Sequence, residues 1–250
     1  MDTKLHFSRF EFKYLLPRAL RNEVEKELQH FIELDPYVAG QPGNRYFVRS
    51  LYYDNRAMVC YYEKIDGTMD RAKFRLRTYT DSDTSETARF LEVKGRHNAQ
   101  VFKHRVELAS HPRGGPADEH TSFDPTTRDV LRQLEGSRLR SRFVRELYRR
   151  DLAPVMLVDY QRRPYLSKYD PEFRLTFDES LAGWVTTQLF PRRHDSRRRI
   201  LPGYTILELK FRYHVPKWFH RIIQSYELRR VSISKYCAAV EAFDLTPKLE

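Results

Sequence analysis

Two short strings of one type, Leu91-Glu92-Val93-Lys94 and Leu207-Glu208-Leu209-Lys210, stand far apart in the chain. In a strand, side chains two apart share a face. Each string therefore sets a carboxylate beside an ammonium and turns two aliphatic residues the other way. The same alternation recurs in Arg9/Glu11/Lys13, Lys73/Arg75/Arg77, Lys103/Arg105/Glu107, Arg174/Thr176/Asp178 and Glu208/Lys210/Arg212. Arginine forks grip phosphate oxygens in pairs and lysine acts as a point charge, so such faces suit a chain of phosphates. Glutamates would repel phosphate, but they are hard oxygen ligands of the kind Mg²⁺ or Mn²⁺ takes alongside substrate phosphates. Together these residue types imply metal-assisted phosphoryl transfer. A solvated sheet face would also alternate, but it normally carries neutral Ser, Thr, Asn and Gln. Here the faces are almost wholly ionic.

Those faces need strands to carry them. The pattern predicts strands over 7–16, 46–53, 71–79, 89–95, 101–108, 154–160, 173–178 and 204–213, with a short strand or extended segment over 58–65 closed by Asp66-Gly67. Helices are expected from Pro17 to about Leu34, from Asp124-Pro125 to about Arg150 with a break near Gly136, and from Pro216 to Leu228. A last helix capped by Ser234 should run to Phe243. The expected class is α+β: an antiparallel eight-stranded β-barrel tunnel with a polar, basic lumen, flanked by helices. One domain over 1–250 is expected. Closing the sheet removes its edges and gives the charged faces a common interior.

Composition is consistent with this picture. The 250 residues carry 45 Lys+Arg against 34 Asp+Glu, a formal net charge of +11. Such charge with few large side chains would mean disorder, but 16 Tyr and 16 Phe argue for a packed core. A basic, folded chain implies a polyanionic partner. Only Cys60 and Cys237 occur, in no motif, so both are expected as small core residues in a reducing, cytoplasmic setting. No apolar run is long enough to span a bilayer, and no signal-peptide core begins the chain.

The strings Glu11-Phe-Lys13-Tyr14, Arg75-Leu-Arg77, Leu91-Glu-Val-Lys94, Asp159-Tyr-Gln-Arg162, Leu207-Glu-Leu-Lys210-Phe211 and Ser234-Lys235-Tyr236 resemble the catalytic domain of vacuolar transporter chaperone (VTC) polyphosphate polymerases, within the triphosphate tunnel (CYTH-like) metalloenzymes. The resemblance spans nearly the whole chain. It implies a tunnel enzyme that extends polyphosphate from ATP and releases ADP. Carried over by motif, Lys13, Arg75, Arg77, Lys94, Arg162 and Lys235 would bind phosphate, Glu208 would hold Mn²⁺ or Mg²⁺, and Ser234 would join Lys235 at a helix start. A helix N-terminus favours anions on physical grounds as well. Strand parity adds Glu11, Lys73, Arg174 and Lys210 on the substrate side, and Glu92 as a second candidate metal ligand. Arg9 replaces the first Glu of the Glu-x-Glu-x-Lys string of adenylate-cyclase-like relatives, which favours the VTC branch. The inositol-phosphate-sensing and membrane domains of larger family members do not occur in these 250 residues.

Two other readings stay open: a metal-dependent triphosphatase, and a module that binds polyphosphate without turnover. Nucleic acid is not expected as a partner, because the cations alternate strictly with apolar residues instead of scattering over a surface. The arginines of 138–150 and of the loop 191–199 read as solvated. Tyr52, Tyr53, Tyr61 and Tyr62 read as packing residues, and the nine histidines show no metal spacing.

Overall fold

The computed structural model describes residues 10–97, 100–108, 123–191 and 196–246. Arg9, nearly all of the 110–123 connection, and Arg192 and Arg193 of the basic loop lie outside these.

Ten strands form one antiparallel sheet: β1 (Phe10–Pro17), β2 (Ile32–Leu34), β3 (Tyr46–Asp54), β4 (Arg71–Thr78), β5 (Arg89–His97), β6 (Gln100–Leu108), β7 (Ala153–Ser167), β8 (Arg174–Val185), β9 (Arg198–Arg199) and β10 (Tyr204–Phe211). Eight follow the path β1-β10-β8-β7-β3-β4-β5-β6, while β2 pairs with β7 and β9 with β8. The path curls strongly. Glu11 on β1 meets Lys94 on β5 at 3.1 Å, although five strands lie between them on the path. Among the described residues no backbone ladder joins β6 to β1, so the sheet curls without closing into the expected barrel. Both edge strands carry charged residues, a feature that disfavours edge-to-edge pairing with other chains.

Strand parity divides the sheet as the alternation predicts. The aliphatic halves of the two Glu-x-Lys strings face outward under helices. Leu207, Leu209, Phe177 and Leu16 pack with Val24 and Leu28 of α1 (Arg18–Leu28) and with Phe219 and Ile222 of α5 (Lys217–Ser225). Leu91, Val93, Phe74 and Leu51 pack under α3 (Pro125–Gln133) and α4 (Arg138–Arg150). Phe143 of α4 is fully buried there, and cutting it to Ala would cost about 3–5 kcal/mol. Gly95 closes the first string because a Cβ there would run into the Phe102 ring on β6.

The concave face is covered differently. The helix α6 (Lys235–Ala242) lays Tyr236, Cys237 and Val240 on Val48, Tyr52, Met156, Val158 and Ile206, forming an apolar floor. Its N-terminus points towards the charged part of the face. Ser234 caps it, its hydroxyl accepting from the Cys237 amide at 3.4 Å.

Three expectations about elements need correction. The first helix stops at Leu28, and Ile32–Leu34 pairs with Tyr165–Ser167 of β7. Helical periodicity there reflected burial common to both elements. Residues 58–65 are not extended but hold helix α2 (Val59–Ile65), nucleated by Asp54, whose carboxylate accepts from the amides of Cys60 at 2.9 Å and Tyr61 at 3.0 Å. Strands β7 and β8 run much longer than their alternating cores, β7 passing through Pro164.

Candidate active site

In an antiparallel ladder, directly opposed residues share a face. Lys13 stands opposite Glu208 and Glu11 opposite Lys210; Glu208 stands opposite Thr176 and Lys210 opposite Arg174. Asp178 faces Arg162 across β7–β8. On the other side, Arg75 stands opposite Tyr52 and Glu92, and Glu92 opposite Arg105. One concave surface thus gathers charged residues from β1, β4, β5, β6, β7, β8 and β10, with α6 delivering Lys235.

The wall formed by β1, β10, β8 and β7 interleaves carboxylates and cations. Arg162 binds Asp178 through two bonds of 2.6 and 2.7 Å. Lys235 reaches the same Asp178 at 2.5 Å and lies 3.9 Å from Glu208. Lys210 pairs with Glu208 Oε1 at 2.8 Å, and Arg162 stands 3.7 Å from its Oε2. Lys13 pairs with Glu11 at 3.0 Å and donates to the Ile233 carbonyl at 3.2 Å. Asp178 is wholly buried and Glu208 nearly so. Burial alone would raise the Glu208 carboxyl, but Lys210, Arg162, Lys13 and Lys235 outweigh it and hold it well below the usual carboxylate range. Burial and Glu208 likewise oppose ionisation of Glu11, yet Lys13, Lys94 and Lys210 bring it down to about 2. Burial would lower the Lys13 ammonium, but Glu208 and Glu11 raise it.

The wall formed by β4, β5 and β6 has one central carboxylate. Glu92, 1% exposed, takes Arg75 at 2.6 and 2.8 Å, Lys103 at 3.2 Å, Arg77 at 3.6 Å and Arg105 at 3.8 Å. Burial would raise it, but Arg75, Arg77 and Lys103 keep it ionised far into acid. Arg75 also donates to the Tyr52 hydroxyl at 3.1 Å; Arg77 donates to Ser50 at 3.1 Å and Tyr160 at 3.4 Å. Lys235 and Arg162 both lie over the Tyr160 ring.

The structure brings together Lys13, Glu11, Glu208, Lys210, Arg162 and Lys235, and separately Arg75, Arg77 and Glu92. Lys94 spans the two walls through Glu11 but is half exposed. Lys73 reaches Ser234 at the start of α6, at 3.4 Å. Arg174 shares the face, opposite Lys210, but is exposed and makes no ion pair among the described residues. Asp159, part of the Asp-Tyr-Gln-Arg string, points to the other face and binds Arg49 at 2.7 and 3.0 Å. Sequence reasoning placed Asp178, Lys103 and Arg105 on charged faces without assigning them to the site. It missed Tyr52, Tyr160 and Ser50, whose strands carry no charged alternation to mark them.

For a divalent ion the donor chemistry fits at Glu208 and less well at Glu92. Among the described residues Glu208 Oε2 has cations only at 3.7 and 3.9 Å, and the Lys210 that holds Oε1 is partly exposed. Glu92 is enclosed by four cations, a setting that suits a counter-ion. Among the described residues no three Asp, Glu, His or Cys side chains form a metal cage. A hard cation here would therefore complete its shell with substrate oxygens.

A curled antiparallel sheet with a basic, charge-paired interior and helices on its outer face defines a tunnel-like α+β fold. The VTC domain matches residues 8–244, and the chain belongs to that family. No curated protein matches it. Among solved structures, the PH1819 protein from Pyrococcus horikoshii OT3 aligns at 12% identity over 93% of this chain and 98% of its own, with a TM-score of 0.44. The mimivirus capping enzyme triphosphatase aligns at 7% identity over 87% and 89%, with a TM-score of 0.30. No helix among the described residues is long and apolar enough to cross a membrane.

Proposed function

We propose that the chain, as a single tunnel domain over 1–250, is a cytoplasmic polyphosphate polymerase that uses ATP. The observation that carries this reading is the convergence of Lys13, Arg162, Lys235, Arg75 and Arg77 on one concave face, with Glu208 among them. ATP lays its phosphates along these cations, each exchanging a carboxylate partner for phosphate oxygens. The terminal oxygen of a growing polyphosphate attacks the γ-phosphorus in line. The bond from that phosphorus to the bridging oxygen breaks, ADP leaves with the electron pair, and the chain is longer by one phosphate. No general base is required, because the attacking oxygen is already anionic. What the residues supply is alignment and charge neutralisation. Mn²⁺ or Mg²⁺ bound at Glu208 would add Lewis-acid polarisation of the phosphoryl oxygens.

Purified protein given ATP and Mn²⁺, with products resolved on a gel, should yield long chains. Orthophosphate as the sole phosphate product would replace this reading with a triphosphatase, and binding without any product would make the domain a polyphosphate-binding module.

A further inference from the structure

Deep in the lumen the cations have carboxylate partners; at one rim, among the described residues, Lys64 and Lys73 do not. Lysines from three elements converge on the segment 232–234 just before α6. Lys64, from the last turn of α2, donates to the Ser232 hydroxyl at 2.8 Å. Lys73 of β4 donates to the Ser234 hydroxyl at 3.4 Å, and Lys13 of β1 to the Ile233 carbonyl at 3.2 Å. Among the described residues no carboxylate lies within ion-pair distance of Lys64 or Lys73.

The adjoining sheet makes the excess worse. Lys73 stands directly opposite Lys94, which shares Glu11 with Lys13, and Lys94 stands opposite Lys103, which pairs with Glu92. Directly opposed like charges destabilise a sheet. Burial, and then the nearby Arg71, Lys73 and Lys13, depress the Lys64 ammonium, while the Cys237 sulfur works the other way. A rim that gathers like charges from three elements and supplies hydroxyls beside them is relieved by an anion.

We propose that Lys64 and Lys73, set around Ser232 and Ser234 and adjoining Lys13, form a subsite at the tunnel rim for phosphates beyond the triphosphate, namely those of a linear polyphosphate chain. It rests on the polyphosphate reading above and extends it to a residue, Lys64, that no strand alternation marks. A triphosphate held deep by Arg75, Arg77 and Arg162 does not need Lys64; a longer chain passing the rim does.

Calorimetric titration of the full chain with inorganic tripolyphosphate and with a linear polyphosphate of defined, greater length tests this without turnover. Lys64→Gln should weaken the long chain by about tenfold, as expected for a lost charge-assisted contact, and tripolyphosphate by less than about twofold. Lys64→Arg should restore the long-chain affinity. Equal loss for both ligands, or no loss for either, overturns the subsite. Because no ATP is consumed, a wild-type protein that only hydrolyses ATP would sink the polymerase reading and leave this result to be judged separately.

Discussion

The two walls of the lumen use the same residue types in different proportions. On β1, β10, β8 and β7, Glu11, Glu208 and Asp178 alternate with Lys13, Lys210, Arg162 and Lys235, each carboxylate shared between cations. On β4, β5 and β6, the single buried Glu92 serves Arg75, Arg77, Lys103 and Arg105. The first arrangement leaves, among the described residues, a Glu208 oxygen with cations no nearer than 3.7 Å, the setting that the proposed metal-assisted step uses. The second holds a basic patch together, a setting that suits a metal less well. In the proposed function the Glu208 string does chemistry and the Glu92 string assembly.

Substitutions separate the two roles. Glu208→Gln should cut turnover by about 10²–10³-fold, the scale of losing a principal electrostatic contact to a transition state. Its effect on melting should be smaller than that of the equivalent change in the other wall. Glu92→Gln leaves four cations without their carboxylate and should cost about 3 kcal/mol of stability, a fall in Tm of about 6–12 °C by calorimetry. If Glu92→Gln instead abolished turnover at an unchanged Tm, the roles of the walls would be reversed.

A smaller effect should appear in the pH profile of the β4 wall. Burial would raise the Tyr52 phenol, but Arg75 and Arg77 bring it down to about 8. Below that value Tyr52 is neutral and Arg75 is available to phosphate. Above it the phenolate forms and competes for Arg75, so affinity for ATP should fall as pH rises through about 8. Tyr52→Phe should remove that alkaline limb and leave affinity at pH 7 within about threefold. A limb that persists unchanged in the variant would assign it to another group.

The fold was legible where a strand carried alternating charge. The faces of β1, β4, β5, β6, β8 and β10, their helical covers on the outside, and the Ser234 cap all follow from spacing of two or of 3.6. What escaped depended on partners distant in sequence. Helix α2 forms because Asp54 captures the amides of Cys60 and Tyr61, and the aromatic run 58–65 gives no sign of that. Tyr52 looked like a packing residue because its ring does pack, 5.1 Å from that of Tyr236, while its hydroxyl serves Arg75. The seam between β1 and β6 was also invisible, since strand count and alternation are the same whether a sheet closes or only curls.

The distinction between transfer to phosphate and transfer to water is read most directly from stoichiometry. With ATP and Mg²⁺, phosphorus NMR of the reaction should show ADP and internal chain phosphates rising together, with orthophosphate well below ADP throughout. Orthophosphate rising one for one with ADP, and no internal chain phosphate, would contradict the account.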